Sequence, residues 1–285
     1  MFNKMIGTIE SAITGAREAL DAHGAATQGD LVEHAAALMK MAAELVDLSN
    51  TAKYRAYKAL LPDGVDGYKP YSTPYLAMIK DVENQVRLQN EEYGKYKYFF
   101  GQPYQAFATL GIFGARDTET RYREYGLGGM VSPHHRVLDI GASCGFMSIY
   151  TALMNGCRAD CVEHNPYMVK IGEIVAGYLG LTGKMRFFAT DVTGWEPDCR
   201  YDVVFSFASH HTDDGGHSPV LRDYMKRLWS LLVPGGALVF EGHCADYGNG
   251  VFYRDLEENR DLFSWSGSRR FPQSNRELFI MRRNG

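Results

Sequence analysis

The five cysteines of the 285 residues, Cys144, Cys157, Cys161, Cys199 and Cys244, are odd in number and confined to the second half. That pattern excludes a disulfide framework and points to reduced thiols. No uncharged apolar run reaches the roughly 18 residues a membrane-crossing helix needs, and no basic segment followed by an apolar stretch opens the chain. The expected location is the cytoplasm, with no membrane partner. A strong excess of either charge is also missing: 30 Lys and Arg against 34 Asp and Glu leave a formal charge of −4. This balance argues against a nucleic-acid partner, whose phosphates draw on clustered basic side chains. Arg269, Arg270, Arg276, Arg282 and Arg283 form one local basic run, read as a solvated tail. Cys157 and Cys161 fall four apart, at the entry to and within a predicted strand, about 13 Å apart along extended chain, and no second pair follows, so no metal is expected.

What is present is ordinary globular material, 45% hydrophobic and 22% charged, enough to bury a core without cross-links. Ile6, Ile9, Ile13, Ala16 and Leu20 fall on one helical face. Asp30 and Glu33 make a capping box ahead of Leu31, Ala35, Leu38, Ala42 and Leu45. The spacing predicts an antiparallel helical pair within residues 1–60 that packs on itself and on the rest of the chain, with a homodimer face as the alternative. Residues 54–125 are rich in tyrosine and broken by Pro62, Pro70, Pro74 and Pro103, with one helix predicted around 74–92. Tyr75, Tyr93, Tyr104 and their neighbours are candidates to wall a pocket, although ordinary packing accounts for most such rings. Gly126, Gly128, Gly129 and Pro133 mark the expected boundary between a helical region, 1–125, and a second domain, 126–285.

From residue 136 short apolar runs alternate with helical patterns, the rhythm of an α/β fold with a doubly wound, mostly parallel sheet, here carrying an N-terminal helical extension. Strands are predicted at 136–140, 159–163, 185–190, 201–207 and 237–241, with a last edge strand at 277–283. Helices are predicted at 146–154, at 166–179 behind Asn165 and Pro166, and at 219–232 behind Ser218, ending at Pro234-Gly235-Gly236.

The segment Val137-Leu138-Asp139-Ile140-Gly141-Ala142-Ser143-Cys144-Gly145 runs from strand through a glycine-punctuated turn into a helix, where bare backbone can approach a ligand and helix amides can face it. Ser143 stands where a dinucleotide fingerprint requires its second glycine, which disfavours NAD. Residues 141–145 also satisfy the G-x-S-x-G nucleophile elbow of hydrolases. That reading, with Ser143 as nucleophile, lacks the earlier strands and the oxyanion-hole segment an elbow requires.

The motif resembles the first motif of the class I S-adenosylmethionine-dependent methyltransferases, and four further elements follow in that family's order. The resemblance implies a Rossmann-like methyltransferase fold over roughly the second half of the chain, with S-adenosyl-L-methionine as cofactor. Asp139, Gly141, Ala142, Ser143 and Gly145 would lie under its methionine portion. Glu163, ending the second strand and followed by His164, would take the ribose hydroxyls, and Asp191 with Val192 would hold the adenine edge. Ser206 and Phe207 end the fourth strand at the cofactor and substrate, and Arg116 is a candidate for the methionine carboxylate.

Methyl transfer to a hydroxyl or amine also needs a proton acceptor. His210 and His211 just past the fourth strand, with Glu241 and His243 at the end of the fifth, are the catalytic candidates, the histidines preferred because their ordinary pKa lies near neutrality. No Asn-Pro-Pro-Tyr or Asp-Pro-Pro-Tyr run follows the fourth strand, so a small-molecule methyl acceptor is expected. An RNA or protein acceptor and a non-catalytic cofactor-binding assembly protein remain the alternatives.

Overall fold

Local chain chemistry sets each element. The computed structural model describes residues 72–94, 103–210, 220–242, 249–271, 274 and 276–285. The chain divides into two compact units, Met1–Tyr57 and Lys58–Gly285, and all described residues belong to the second. The helical pair expected within residues 1–60, with the homodimer face proposed on it, lies outside the described residues. No described helix is long and apolar enough to cross a membrane.

Helix α1 (Thr73–Tyr93) starts where Ser72 Oγ accepts the Tyr75 N–H, with Pro74 in its first turn. Here proline opens a helix, because its missing N–H falls among groups that have no helical partner anyway. Two short strands, β1 (Gln105–Ala106) and β2 (Arg116–Asp117), pair in parallel. Asp117 then caps α2 (Thr118–Tyr125), and a single turn, α3 (Leu127–Met130), leads to the sheet.

The sheet is built from β3 (Arg136–Ile140), β4 (Arg158–Glu163), β5 (Met185–Ala189), β6 (Tyr201–Phe207), β7 (Leu232–Gly242), β8 (Phe263–Ser264), β9 (Ser268–Phe271) and β10 (Arg276–Arg283). Its order is β5-β4-β3-β6-β7-β10-β8, with β9 also pairing β10. Strands β3 to β7 are parallel, and β10 inserts antiparallel beside β7. Crossovers run through α4 (Phe146–Asn155), α5 (Pro166–Tyr178) and α6 (Leu221–Leu231), while α7 (Gly250–Glu257) follows β7. The parallel order reverses between β3 and β6, the switch point where open α/β sheets take ligands.

Alternation along the strands divides the two faces. Leu138, Ile140, Val204, Leu238 and Phe240 join Met225, Leu228, Phe252 and Leu256 in one core beneath α6 and α7. Asp139, Phe205, Phe207 and Glu241, on the opposite parity, face the other side, where Asp139 meets Ser148 of α4 and Glu241 meets Arg121 and Tyr125 of α2. The Pro234-Gly235-Gly236 turn is absorbed into β7. Leu232 already pairs with Tyr201, and the chain bulges before Ala237 pairs with Val203, with Gly235 at φ +73°.

Candidate active site

The glycine loop after β3 is held by groups far away in sequence. Gly141 and Ala142 both donate to the Val162 carbonyl, and Gly145 donates to the Ala142 carbonyl. Gly141, Ser143 and Gly145 all have positive φ, at +64°, +52° and +66°, a region L-residues other than glycine visit at a cost. Gly141 admits no side chain, because a Cβ there would stand 2.5 Å from the Ser209 Cβ. At Gly145 a Cβ would meet the Phe187 ring at 2.9 Å and Cys161 Sγ at 3.0 Å.

Glu163, at the end of β4, is the second support. Its Oε2 accepts the Ser143 N–H at 2.9 Å and its Oε1 accepts the Asn165 N–H at 2.9 Å. His164 Nδ1 lies 3.0 Å from the same Oε1. A carboxylate offers about four acceptor sites, so two backbone bonds leave capacity for a ligand hydroxyl. Asp191 caps the turn after β5, accepting from the N–H and Oγ1 of Thr193 at 2.7 and 2.6 Å. Val192 is half-buried against the core, and its carbonyl accepts from Arg227 Nε.

Asp139 is 1% exposed and accepts from Ser148 Oγ at 2.8 Å. Burial pushes its pKa up to about 7, with the Ser148 hydrogen bond and the Arg121 charge opposing. Ser206, Ser209 and Tyr224 join their hydroxyls in a triangle of 2.9 to 3.0 Å. The buried His210 ring lies 5.0 Å from that of Tyr224. His211 and His243 lie outside the described residues.

Glu241, a catalytic candidate on sequence grounds, has a different task. It is fully buried, with Arg121 Nη2 at 2.8 Å, Arg276 Nε at 3.4 Å and Arg116 Nη2 at 3.9 Å, and it accepts from the Tyr125 hydroxyl. Burial pushes its pKa up, but Arg121, Tyr125, Arg116 and Arg276 outweigh this and hold it below the ordinary glutamate range. A carboxylate so stabilised is a poor proton acceptor near neutral pH, so this candidate is withdrawn as a base. Arg116, expected at the methionine carboxylate, joins this cluster. Burial and then Glu241 push the Tyr125 hydroxyl above its ordinary value, with Arg121 acting in the opposite sense.

A cleft of about 680 Å³ opens above this cluster, lined by Ala115, Arg116, Asp117, Thr120, Arg121, Glu124, Arg270, Phe271 and Ser274. It adjoins the ligand end of the sheet, because Glu241 pairs in register with Phe207 and Arg121 stacks over the Phe207 ring at 5.3 Å.

Residues 137–236 match the family model described as a methyltransferase domain. Residues 137–236 are a methyltransferase domain. Over 126 residues the chain is 26% identical to a protein named probable tocopherol O-methyltransferase, chloroplastic, of Oryza sativa subsp. japonica, a match covering 44% of this chain and 31% of that protein. Among solved structures, one assigned as a sarcosine dimethylglycine methyltransferase from Galdieria sulphuraria has a similar fold. It matches with TM-score 0.50 at 13% identity, over 70% of this chain and 98% of that one. The methyltransferase domain thus takes the class I Rossmann-like form.

Several groups serving this methyltransferase domain escape a reading by motif. Gln105 of β1 clamps the glycine loop, donating from Nε2 to the Ala142 carbonyl at 3.0 Å and accepting the Phe146 N–H at 2.7 Å. Arg121 and Tyr125 stand four apart on α2, so they share a face and meet Glu241 together. That i, i+4 pairing of Arg and Tyr behind the Asp117 cap was the one available signal. Gln105 left none.

Proposed function

We propose that the protein binds S-adenosyl-L-methionine at the carboxyl ends of β3, β4 and β5 and passes its methyl group in line to a hydroxyl or amine of a small molecule. The observation that carries this reading is the joint geometry of Glu163 and the glycine loop. A left-handed turn, bare of side chains at Gly141 and Gly145, is locked by a carboxylate whose remaining lone pairs suit two neighbouring hydroxyls. Asp139, Gly141, Ala142, Ser143 and Gly145 would hold the methionine portion, Glu163 and His164 the ribose, Asp191 and Val192 the adenine, with Ser206 and Phe207 beside the sulfur. The cofactor supplies an already activated methyl on a sulfonium, so the protein's work is alignment, which contributes on the order of 7–11 kcal/mol at best, and removal of one proton. Buried at the end of β6 beside the hydroxyl triangle, His210 is the proposed acceptor of that proton, with His211 and His243 as its alternates.

Calorimetric titration with S-adenosylhomocysteine tests the reading. Wild-type protein should bind, and Glu163→Ala should lose about 1.5–3 kcal/mol, the scale of a hydrogen bond to a charged group. Equal affinity in the variant would refute the assignment of Glu163. His210→Ala should keep that affinity and lose turnover that rises with pH in the wild type; unchanged turnover would remove it as the base.

A further inference from the structure

The cluster beneath the 680 Å³ cleft carries more positive charge than it neutralises. Three guanidinium groups, from Arg116, Arg121 and Arg276, surround the single Glu241 carboxylate. The Arg121 side chain is 4% exposed, yet its buried Nη1 donates to no partner among the described residues, and the side chain lines the cleft. Removing unbalanced charge and an unused donor from water costs several kcal/mol unless something meets them. Arg116, 17% exposed, is held only at 3.9 Å by Glu241 and presents the rest of its fork to the cleft. The two carboxylates that line the cleft make no ion pair with Arg116 or Arg121 among the described residues: Asp117 Oδ1 caps α2 by accepting the Thr120 N–H, and Glu124 sits exposed on the rim. Arg270 is paired with Glu277 at 3.3 Å.

We infer that the cleft recognises an oxyanion, a carboxylate or a phosphate carried by the methyl acceptor, with Arg121 and Arg116 as its fork-shaped partners and Arg270 at the entrance. Planar guanidinium groups bind both anions through paired N–H bonds. Glu241 then acts as a positioning residue, holding Arg121 in place from below while Tyr125 and Phe207 flank it through their rings. The inference rests on the methyltransferase reading: the cleft adjoins the end of β6, so an acceptor anchored there by its anion points its other end at the crevice.

The test uses the full chain saturated with S-adenosylhomocysteine and labelled with ¹⁵N at arginine. Inorganic phosphate and, separately, benzoate are titrated against sodium chloride of matched ionic strength. The Nε–H resonances of Arg116 and Arg121 should move saturably with at least one probe and not with chloride. Phosphate acting alone identifies a phosphate-bearing acceptor, benzoate alone a carboxylate, and both a site that reads the oxyanion only. Arg116→Gln, whose side chain is partly exposed, should weaken that binding about tenfold or more and leave S-adenosylhomocysteine affinity within about twofold. Resonances that stay still with both probes while S-adenosylhomocysteine remains bound overturn the oxyanion site alone. Failure to bind S-adenosylhomocysteine at all overturns the methyltransferase reading instead.

Discussion

Asp139 shows how one side chain can be legible in type and hidden in state. Its place before the glycine loop marks it as a site residue, but only the fold reveals that it is 1% exposed with a pKa raised to about 7 from 3.8, chiefly by burial. An acid whose folded pKa is raised binds its proton more tightly when native. Its contribution to stability is therefore complete below about pH 3.8 and is lost as pH rises through about 7. Asp139→Asn keeps an oxygen for the Ser148 hydroxyl and has nothing to ionise. Urea unfolding should find the variant close to wild type below about pH 3.8 and more stable at pH 8, by an amount on the order of a few kcal/mol. A difference that does not change with pH would mean that Asp139 is not the titrating group.

At the scale of elements, the glycine loop separates a requirement of conformation from one of space. Gly141 and Gly180 both have positive φ, at +64° and +70°, but a Cβ at Gly180 would meet nothing within 4 Å, whereas at Gly141 it would collide with Ser209. Gly180→Ala should cost about 1–2 kcal/mol, the left-handed penalty alone. Gly141→Ala should cost more and also weaken S-adenosylhomocysteine binding, because the loop must shift away from β6. Thermal unfolding and calorimetry of the two variants would check this; equal losses of stability would show that the Ser209 contact yields freely.

The sequence displayed this loop because its strand, bend and helix are contiguous, and the buried parallel strands from β3 to β6 read clearly as short apolar runs for the same reason. It hid Gln105, whose bonds to the loop span 37 and 41 positions, and the strands β1 and β2, which at two residues each are too short to show any periodicity. Pro234-Gly235-Gly236 read as a stop because proline and glycine punctuate helices, yet here they form a bulge inside β7. The element type was right for β7 but its start was misplaced.

For the molecule as a whole, the buried charge cluster ties together pieces that no local pattern connects. Arg116 comes from β2, Arg121 and Tyr125 from α2, Glu241 from β7 and Arg276 from β10, so the segment before residue 126 is bonded to both the parallel and the antiparallel part of the sheet. Because surrounding arginines depress the Glu241 pKa against the effect of burial, its contribution to stability is present above the ordinary glutamate range and lost as pH falls below it. Removing the carboxylate alone leaves three guanidinium groups facing one another, whereas removing Arg121 with it takes away the most buried of them and leaves only the more exposed Arg116 and Arg276. Glu241→Gln should therefore destabilise the fold by about 3–5 kcal/mol, and its acid-induced loss of stability should be smaller than in the wild type. Glu241→Leu combined with Arg121→Met should lose less than the sum of the two single changes, since the charges that need each other leave together. Denaturant unfolding of the two singles and the double closes that cycle, and strict additivity would mean that Glu241 and Arg121 stabilise the fold independently.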